Sequence, residues 1–436
     1  MSLGGYNKSS PNFSYTDIAG SKNISFPVRY IRCGRDPSYS IYLFEQKMKT
    51  SFRVLGVISL AHCLNDTTQS LMIAIYPLLR DNFALNYTQL GLLSFTYQMC
   101  ASVLQPGIGL YTDKHPLPYS LPIGMFSTLI GLLILAVAPG YFWLLIGSGM
   151  VGIGSAVFHP ESSRVAHAAS AGRYGLAQSI FQLGGNAGGA IGPLLAALFV
   201  MQHGQISLAF FALLPCAAIV SLIFISRWAV RQARVKGRVR DPRTIDLPRA
   251  TVVRALIFLF VLMFSKQLYS MSLSNFFTFY LMEKFGVSTE TSQVYLFLFL
   301  GATALGTFVG GPIGDRFGRK WVIWLSIVGA APFTLALPYV GLGFTAVLAV
   351  VVGFIMASSF SAILVFAQEL TPGHVGAIAG LFFGLSFGLG GIGSAVLGKL
   401  ADGQGLGFVY QVCSFLPLLG LLTIFLPSEK KNRRIG

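Results

Sequence analysis

Apolar stretches parted by short polar breaks occupy most of residues 53–427, and each is long enough to cross a hydrocarbon core of about 30 Å as a helix. Reading between the breaks predicts about twelve spans. They fall near residues 53–79, 87–112, 120–138, 141–168, 174–201, 206–227, 251–282, 288–312, 320–340, 343–369, 375–401 and 407–427. The expected fold is therefore an all-α polytopic membrane protein, and composition agrees. Of 436 residues, 54% are hydrophobic and 11% charged, where a soluble chain carries roughly a quarter charged.

Charge orients the spans. Lys47, Lys49 and Arg53 precede the first, Lys114 follows the second, and Arg173 lies between the fourth and fifth. Arg316, Arg319 and Lys320 follow the eighth, and Lys430, Lys431, Arg433 and Arg434 close the chain. The alternate loops are nearly bare, so both termini are expected on the cytoplasmic side of the membrane. The net charge of +16 sits in these loops rather than on one basic face, which argues for lipid contact and against nucleic acid. The basic stretch from Arg227 through Arg231, Arg234, Arg238, Arg240 and Arg243 to Arg249 is too polar to span. It sets topology or touches anionic lipid.

These breaks suggest five segments: a disordered cytoplasmic extension at 1–50, a six-helix half at 51–227, a basic cytoplasmic linker at 228–250, a second half at 251–427, and a cytoplasmic tail at 428–436. Met48 offers an alternative start. The cysteines Cys33, Cys63, Cys100, Cys216 and Cys413 have no metal or redox spacing. The glycine-rich segments lie inside spans, and no phosphate-binding loop is present. No enzyme, cofactor or metal centre is expected, and the chain is expected to act as a monomer.

The halves repeat one another. Gly311-Pro312-Ile313-Gly314-Asp315-Arg316-Phe317-Gly318-Arg319-Lys320 has a reduced copy in Gly109-Leu110-Tyr111-Thr112-Asp113-Lys114-His115. Phe158-His159-Pro160-Glu161 corresponds to Phe366-Ala367-Gln368-Glu369, and glycines stud the fifth and eleventh spans alike. Small residues so spaced let helix backbones approach closely, whether for sliding or for simple tight packing. Repeated helical halves are how secondary transporters are built.

The repeated loop, two sets of six spans and the linker resemble the major facilitator superfamily, whose loop motif is met by Gly311, Asp315, Arg316, Gly318, Arg319 and Lys320. The first-half copy keeps Gly109, Asp113 and Lys114 but reads His115-Pro116-Leu117-Pro118 where Gly-Arg-Lys would stand. The intact cytoplasmic latch is thus expected in the second half. Further segments are similar to the fosmidomycin-resistance group of efflux transporters. They include His62-Cys63-Leu64-Asn65-Asp66, Phe158-His159-Pro160-Glu161-Ser162-Ser163-Arg164, Gly175-Leu176-Ala177-Gln178-Ser179 and Phe366-Ala367-Gln368-Glu369-Leu370. That resemblance implies proton-driven export of a small drug.

A charge at membrane depth needs a partner or a function. Asp66 lies about 20 Å into the first span and His62 one turn before it, on a face shared with Gln69. Asp66 is either the proton-coupling acid, with His62 a weaker second, or a hydrogen-bonded packing residue. Lys266 lies about 22 Å into the seventh span with no acid within one turn. It awaits either an anionic substrate or an acid such as Asp66. Glu161 and Arg164 share a face at the end of the fourth span. Arg164 lines the cavity as an anion-binding cation, or the pair joins Asp113 in a cytoplasmic gate, as Glu369 would join Asp315 and Arg319. Gln69, Gln182, Asn186 and Tyr97 are candidates to line the path. The reading is a drug:proton antiporter for small anionic compounds. The alternatives are a carrier of an endogenous organic anion or siderophore and a non-transporting receptor.

Overall fold

In a computed structural model the described residues are 29–32, 40–43, 50–85, 87–235 and 247–427. Contacts divide the chain into two units, Met1–Lys49 and Thr50–Gly436. In the first unit, Arg29–Arg32 pairs antiparallel with Ser40–Leu43, bringing Tyr30 opposite Tyr42 and Ile31 opposite Ile41. Where the sequence suggested disorder, these β-branched and aromatic residues form a short ladder. The rest of the expected extension, Met48 included, lies outside the described residues.

The second unit is helical at every predicted span. The first, second and eleventh are Phe52–Ala74, Tyr87–Lys114 and Val375–Gln404, of 23, 28 and 30 residues. At about 1.5 Å per residue each exceeds the thickness of a hydrocarbon core. Among the described residues nine more helical stretches are long and apolar enough to cross a membrane. The first span carries a polar stretch, with no apolar side chain from Asn65 to Ser70.

Several spans break where their sequences demand it. The first gives way at Ile75 to a short helix, Tyr76–Phe83, with Pro77 in its opening turn. The tenth is divided at Ser358 into Leu342–Ala357 and Ser359–Leu370. The sixth helix, Leu213–Val235, runs on into the stretch expected as linker, and the seventh, Arg249–Phe285, begins just before that stretch ends. The arginines there fit a helix because Arg227, Arg231 and Arg234 recur at helical spacing outside the apolar run. The linker between 236 and 246 and the tail from 428 lie outside the described residues.

Close helix packing follows the glycines. A methyl group on Gly184, Gly188 or Gly192, spaced four apart on the fifth span, would overlap Ser59, Cys63 or Ser70 of the first. Gly376, Gly380 and Gly384 of the eleventh span press in the same way on Asp113, Gln105 and Ser102 of the second. Van der Waals contact of this kind is what holds helices together in lipid.

The buried cores show how the halves meet. One hydrophobic cluster joins them, combining Val54, Phe158, Phe181 and Ile225 with Leu259, Phe366, Ile378 and Phe383. Two further clusters keep to one half each: Leu71, Leu93, Leu132 and Leu208 in the first, and Tyr269, Phe299, Val352 and Val409 in the second. The described halves therefore share a core at the end carrying Asp113 and Asp315 and have separate cores at the other.

Candidate functional site

The site has two tiers, a fastening between the halves and, deeper in the bundle, a polar cluster facing an aromatic wall. The fastening is built twice. The Asp315 carboxylate, at the end of the eighth span (Thr289–Phe317), accepts the backbone N–H groups of Gly175 and Leu176 at 3.0 and 2.9 Å. These open the fifth span, Tyr174–Leu195. Asp113 does the same for the opening of the eleventh span, accepting from Gly376 at 3.0 Å and Ala377 at 2.8 Å. Each acid sits at a helix N-terminus in the opposite half, satisfying N–H groups that have no helical partner and meeting the positive end of the dipole. Gly311 touches Gly175, and Gly109 touches Gly376, so closely that any Cβ would overlap backbone.

Gly318 adopts φ 102°, a left-handed conformation open to glycine, and turns the chain from the eighth into the ninth span. Arg319 thereby reaches Asp315 at 2.9 Å and Glu369 at 3.0 Å. Lys320 donates to the carbonyls of Ile424 and Leu426, while Arg316 lies 5.3 Å over the Phe317 ring. In the first half Arg164 pairs with Glu161 and donates to the Thr112 carbonyl at 2.6 Å, and Glu161 also accepts from Ser120. Arg164 thus sits beside this fastening rather than free to meet a ligand. The expectation that His115-Pro116-Leu117-Pro118 weakens the first-half latch needs correction in geometry. Asp113 makes both backbone bonds without the missing cations, because the helix N-terminus supplies the positive charge.

Deeper in, Asp66 is bracketed by two imidazoles. His62 Nε2 lies 3.3 Å from Asp66 Oδ2, and His159 Nε2 lies 3.9 Å from Oδ1, which also accepts from Asn65 at 2.9 Å. His62 Nδ1 faces the Phe181 carbonyl at 2.8 Å and His159 Nδ1 faces the Ser155 carbonyl at 3.0 Å. A carbonyl oxygen only accepts, so both Nδ1 atoms carry hydrogen, and in each ring Nε2 is the nitrogen left to gain or lose a proton. His62 Nε2, 3.3 Å from the carboxylate oxygen, is within reach of a proton shared with Asp66. The three donor atoms lie within 4.8 Å of one another, but no fourth His, Cys or carboxylate joins them among the described residues. The set is short of a closed four-ligand metal site and suits proton sharing.

Gly185 makes room for this cluster: a Cβ there would stand 2.5 Å from His62 Cε1 and 2.9 Å from Asp66 Oδ2. Gly185→Ala is therefore expected to destabilise the detergent-solubilised protein by about 1–3 kcal/mol. Gly189→Ala, whose Cβ would meet nothing within 4 Å, is expected to leave the unfolding midpoint unchanged. Equal midpoints for both variants would remove the packing argument.

Lys266 is buried, with its ammonium 5.3 Å over the Phe360 ring. The ion pairs among the described residues do not include it. An Asp66–Lys266 pair is thus not formed; the carboxylate is turned to the histidines instead. Phe360 packs on Phe383 (5.4 Å between centroids), which packs on His159 (5.1 Å). The polar cluster of the first half and the lysine of the second are thereby joined through two rings.

Tyr97 donates to Gln69 Oε1, while Gln69 Nε2 and Gln182 Oε1 are buried without a protein partner. Asn186 reaches Thr307 Oγ1 of the eighth span at 3.5 Å. The approach of His159 to Asp66 and the wall of Phe360, Phe383 and Phe387 were not evident in the sequence. The available signal was that His159 has Ala367 as its counterpart in the repeat, a polar residue present in one copy alone.

Two bundles with repeated inter-half fastenings and ionisable groups at membrane depth define a secondary-transporter fold. Residues 58–279 and 255–435 match the family model of the Major Facilitator Superfamily, and the chain belongs to that family. It is 55% identical over 385 residues to the Fosmidomycin resistance protein of Escherichia coli (strain K12), covering 88% of this chain and 95% of that one. It is 41% identical over 388 residues, with the same coverages, to the Uncharacterized MFS-type transporter YfnC of Bacillus subtilis (strain 168). In fold it is similar to the transporter FucP in the outward conformation (TM-score 0.69, 15% identity, 86% of this chain and 98% of that one). It is similar also to the human organic anion transporter MFSD10 (TETRAN), with TM-score 0.69, 15% identity, and 86% and 99% covered. The chain is thus a multi-pass membrane transporter of this superfamily, similar over most of its length to a fosmidomycin resistance protein, and not an enzyme.

Proposed function

We propose that the chain is a drug:proton antiporter that exports fosmidomycin-like small anionic compounds by alternating access, acting as a monomer in a bacterial inner membrane with both termini cytoplasmic. The observation that carries this reading is one bundle holding an Asp66–His62 contact placed to share a proton in its first half and, in its second, a buried Lys266 with no ion pair among the described residues. Fosmidomycin carries a phosphonate and a hydroxamate, and a buried cation is what an anion of that kind requires. Gln69 and Gln182 offer unpartnered amide atoms to the same ligand, with Tyr97 and Asn186 completing the path. With the basic loops cytoplasmic, the shared core and both aspartate fastenings form the closed inner gate, and the separate cores flank a cleft open to the outside. Six-helix halves at 51–227 and 251–427 rock about this gate, joined by the basic linker.

The direct experiment is counterflow of fosmidomycin against a proton gradient in proteoliposomes. Saturable drug entry that alkalinises the lumen in proportion to drug supports antiport, because protons leave as drug enters; acidification on drug entry, or drug movement indifferent to the gradient, overturns it. Lys266→Gln is expected to weaken fosmidomycin binding by about tenfold or more, since loss of a charge-assisted contact costs about 1.5–3 kcal/mol, and Lys266→Arg to recover part of that loss. Unchanged affinity in Lys266→Gln would move the anion site elsewhere.

A further inference from the structure

We propose that His159 is the positioning residue that carries the protonation state of Asp66 across to the second half. This rests on the proton-coupling reading above and assigns it a residue beyond the Asp66–His62 pair. His62 is enclosed by its own half, stacked on Phe181 at 4.0 Å and tilted on Phe158 at 5.6 Å. His159 touches the other half directly, its ring 5.1 Å from Phe383 and 5.2 Å from Phe387, both on the eleventh span. Phe383 leads on to Phe360 and Lys266, and the same span begins at Gly376 and Ala377, where Asp113 fastens it.

The two imidazoles also differ in what they hold. His62 Nε2 is at bonding distance from Asp66, whereas His159 Nε2, at 3.9 Å, is buried and has no hydrogen-bond partner. With one proton in the cluster only one ring is bonded to the carboxylate. A second proton makes His159 Nε2 a donor, and the 3.9 Å gap to Oδ1 must then close to a bonded length near 2.8 Å. That movement draws the His159 ring along its contacts with Phe383 and Phe387, so proton number in the first half is read as ring position against the eleventh span. The ionisable groups facing His159 are Asp66 and His62 of the first span. Tyr97 of the second span faces Asp66 from its other side, and the described contacts from the eleventh span are aromatic.

The test uses the full chain in nanodiscs, with spin labels at exposed His115 and His374, on either side of the Asp113 fastening. Their distance distribution is followed from pH 5 to 8. The wild type is expected to shift between a short and a long population as pH changes. His159→Phe keeps a ring against Phe383 but has no proton to exchange, and His159→Gln keeps an amide for the Ser155 carbonyl. Both are expected to lose at least nine-tenths of the pH-dependent population shift while still binding fosmidomycin. If both retain the wild-type profile while Asp66→Asn flattens it, the assignment to His159 fails and the coupling role of Asp66 stands. If Asp66→Asn also titrates normally, or the wild type does not respond, both readings fail.

Discussion

Asp66→Asn is expected to reduce fosmidomycin-driven proton movement in proteoliposomes to that of protein-free vesicles. The substitution is nearly isosteric. The amide oxygen it introduces still accepts from Asn65, which donates to Asp66 at 2.9 Å, and the space left by Gly185 is unaltered. What it removes is the ability to carry charge: an amide neither shares a proton with His62 Nε2 nor draws His159 toward it. The variant should therefore fold, appear in the membrane in wild-type amount and bind drug within a few-fold of wild type, because Lys266 lies beyond Phe383 and Phe360. Drug equilibration down its own gradient should survive and accumulation against that gradient should not. The decisive pair of measurements is lumenal pH and labelled drug in the same vesicles. Proton movement at the wild-type level would remove Asp66 from coupling, and loss of drug binding together with proton movement would instead make it part of the drug seat.

How much of this was legible in the sequence depends on the range of the interaction. The spans followed from runs of apolar residues, a property local to each stretch. The eighth-span loop was equally plain, because Gly318 at φ 102° and the spacing of Asp315 from Arg319 are one-turn relations. What stayed hidden were contacts between helices far apart in sequence. Nothing local to Asp113 says that its partners are the N–H groups of Gly376 and Ala377, and the missing arginines argued that the first-half fastening was weak. A helix N-terminus leaves no mark in a neighbour's sequence, yet it replaces a cation. His159 was obscured for the same reason: its motif was visible, but Asp66, Phe383 and Phe387 lie on other helices. Arg164 shows the same limit, since the sequence left it open between a ligand and a gate, and only the contacts with Glu161 and the Thr112 carbonyl set it beside the fastening.

The double fastening yields the second large effect. Asp113→Asn and Asp315→Asn each withdraw the charge facing a helix N-terminus and replace one of the two accepting oxygens by an NH2 group, which cannot accept a backbone N–H. One charge-assisted hydrogen bond becomes neutral, at a cost of about 1 kcal/mol, and the other is lost, at about 1.5–3 kcal/mol. Each substitution should thus favour the state open at this end by about 2–4 kcal/mol, a shift of roughly 30- to 1000-fold in the open:closed ratio. The two acids fasten different helix pairs, second to eleventh and eighth to fifth, so their free energies should add, to about 4–8 kcal/mol in the double variant. Label distances between His115 and His374 report the ratio directly. Reading the motif alone, one expects Asp315→Asn to dominate, because Arg319 and Glu369 stand beside it. The geometry predicts near-equal effects, because each acid meets two N–H groups at one helix opening. An Asp113→Asn variant indistinguishable from wild type would mean that the first-half fastening contributes no free energy to the closed state. A double variant no more open than Asp315→Asn alone would mean that the two fastenings open together as one cooperative unit.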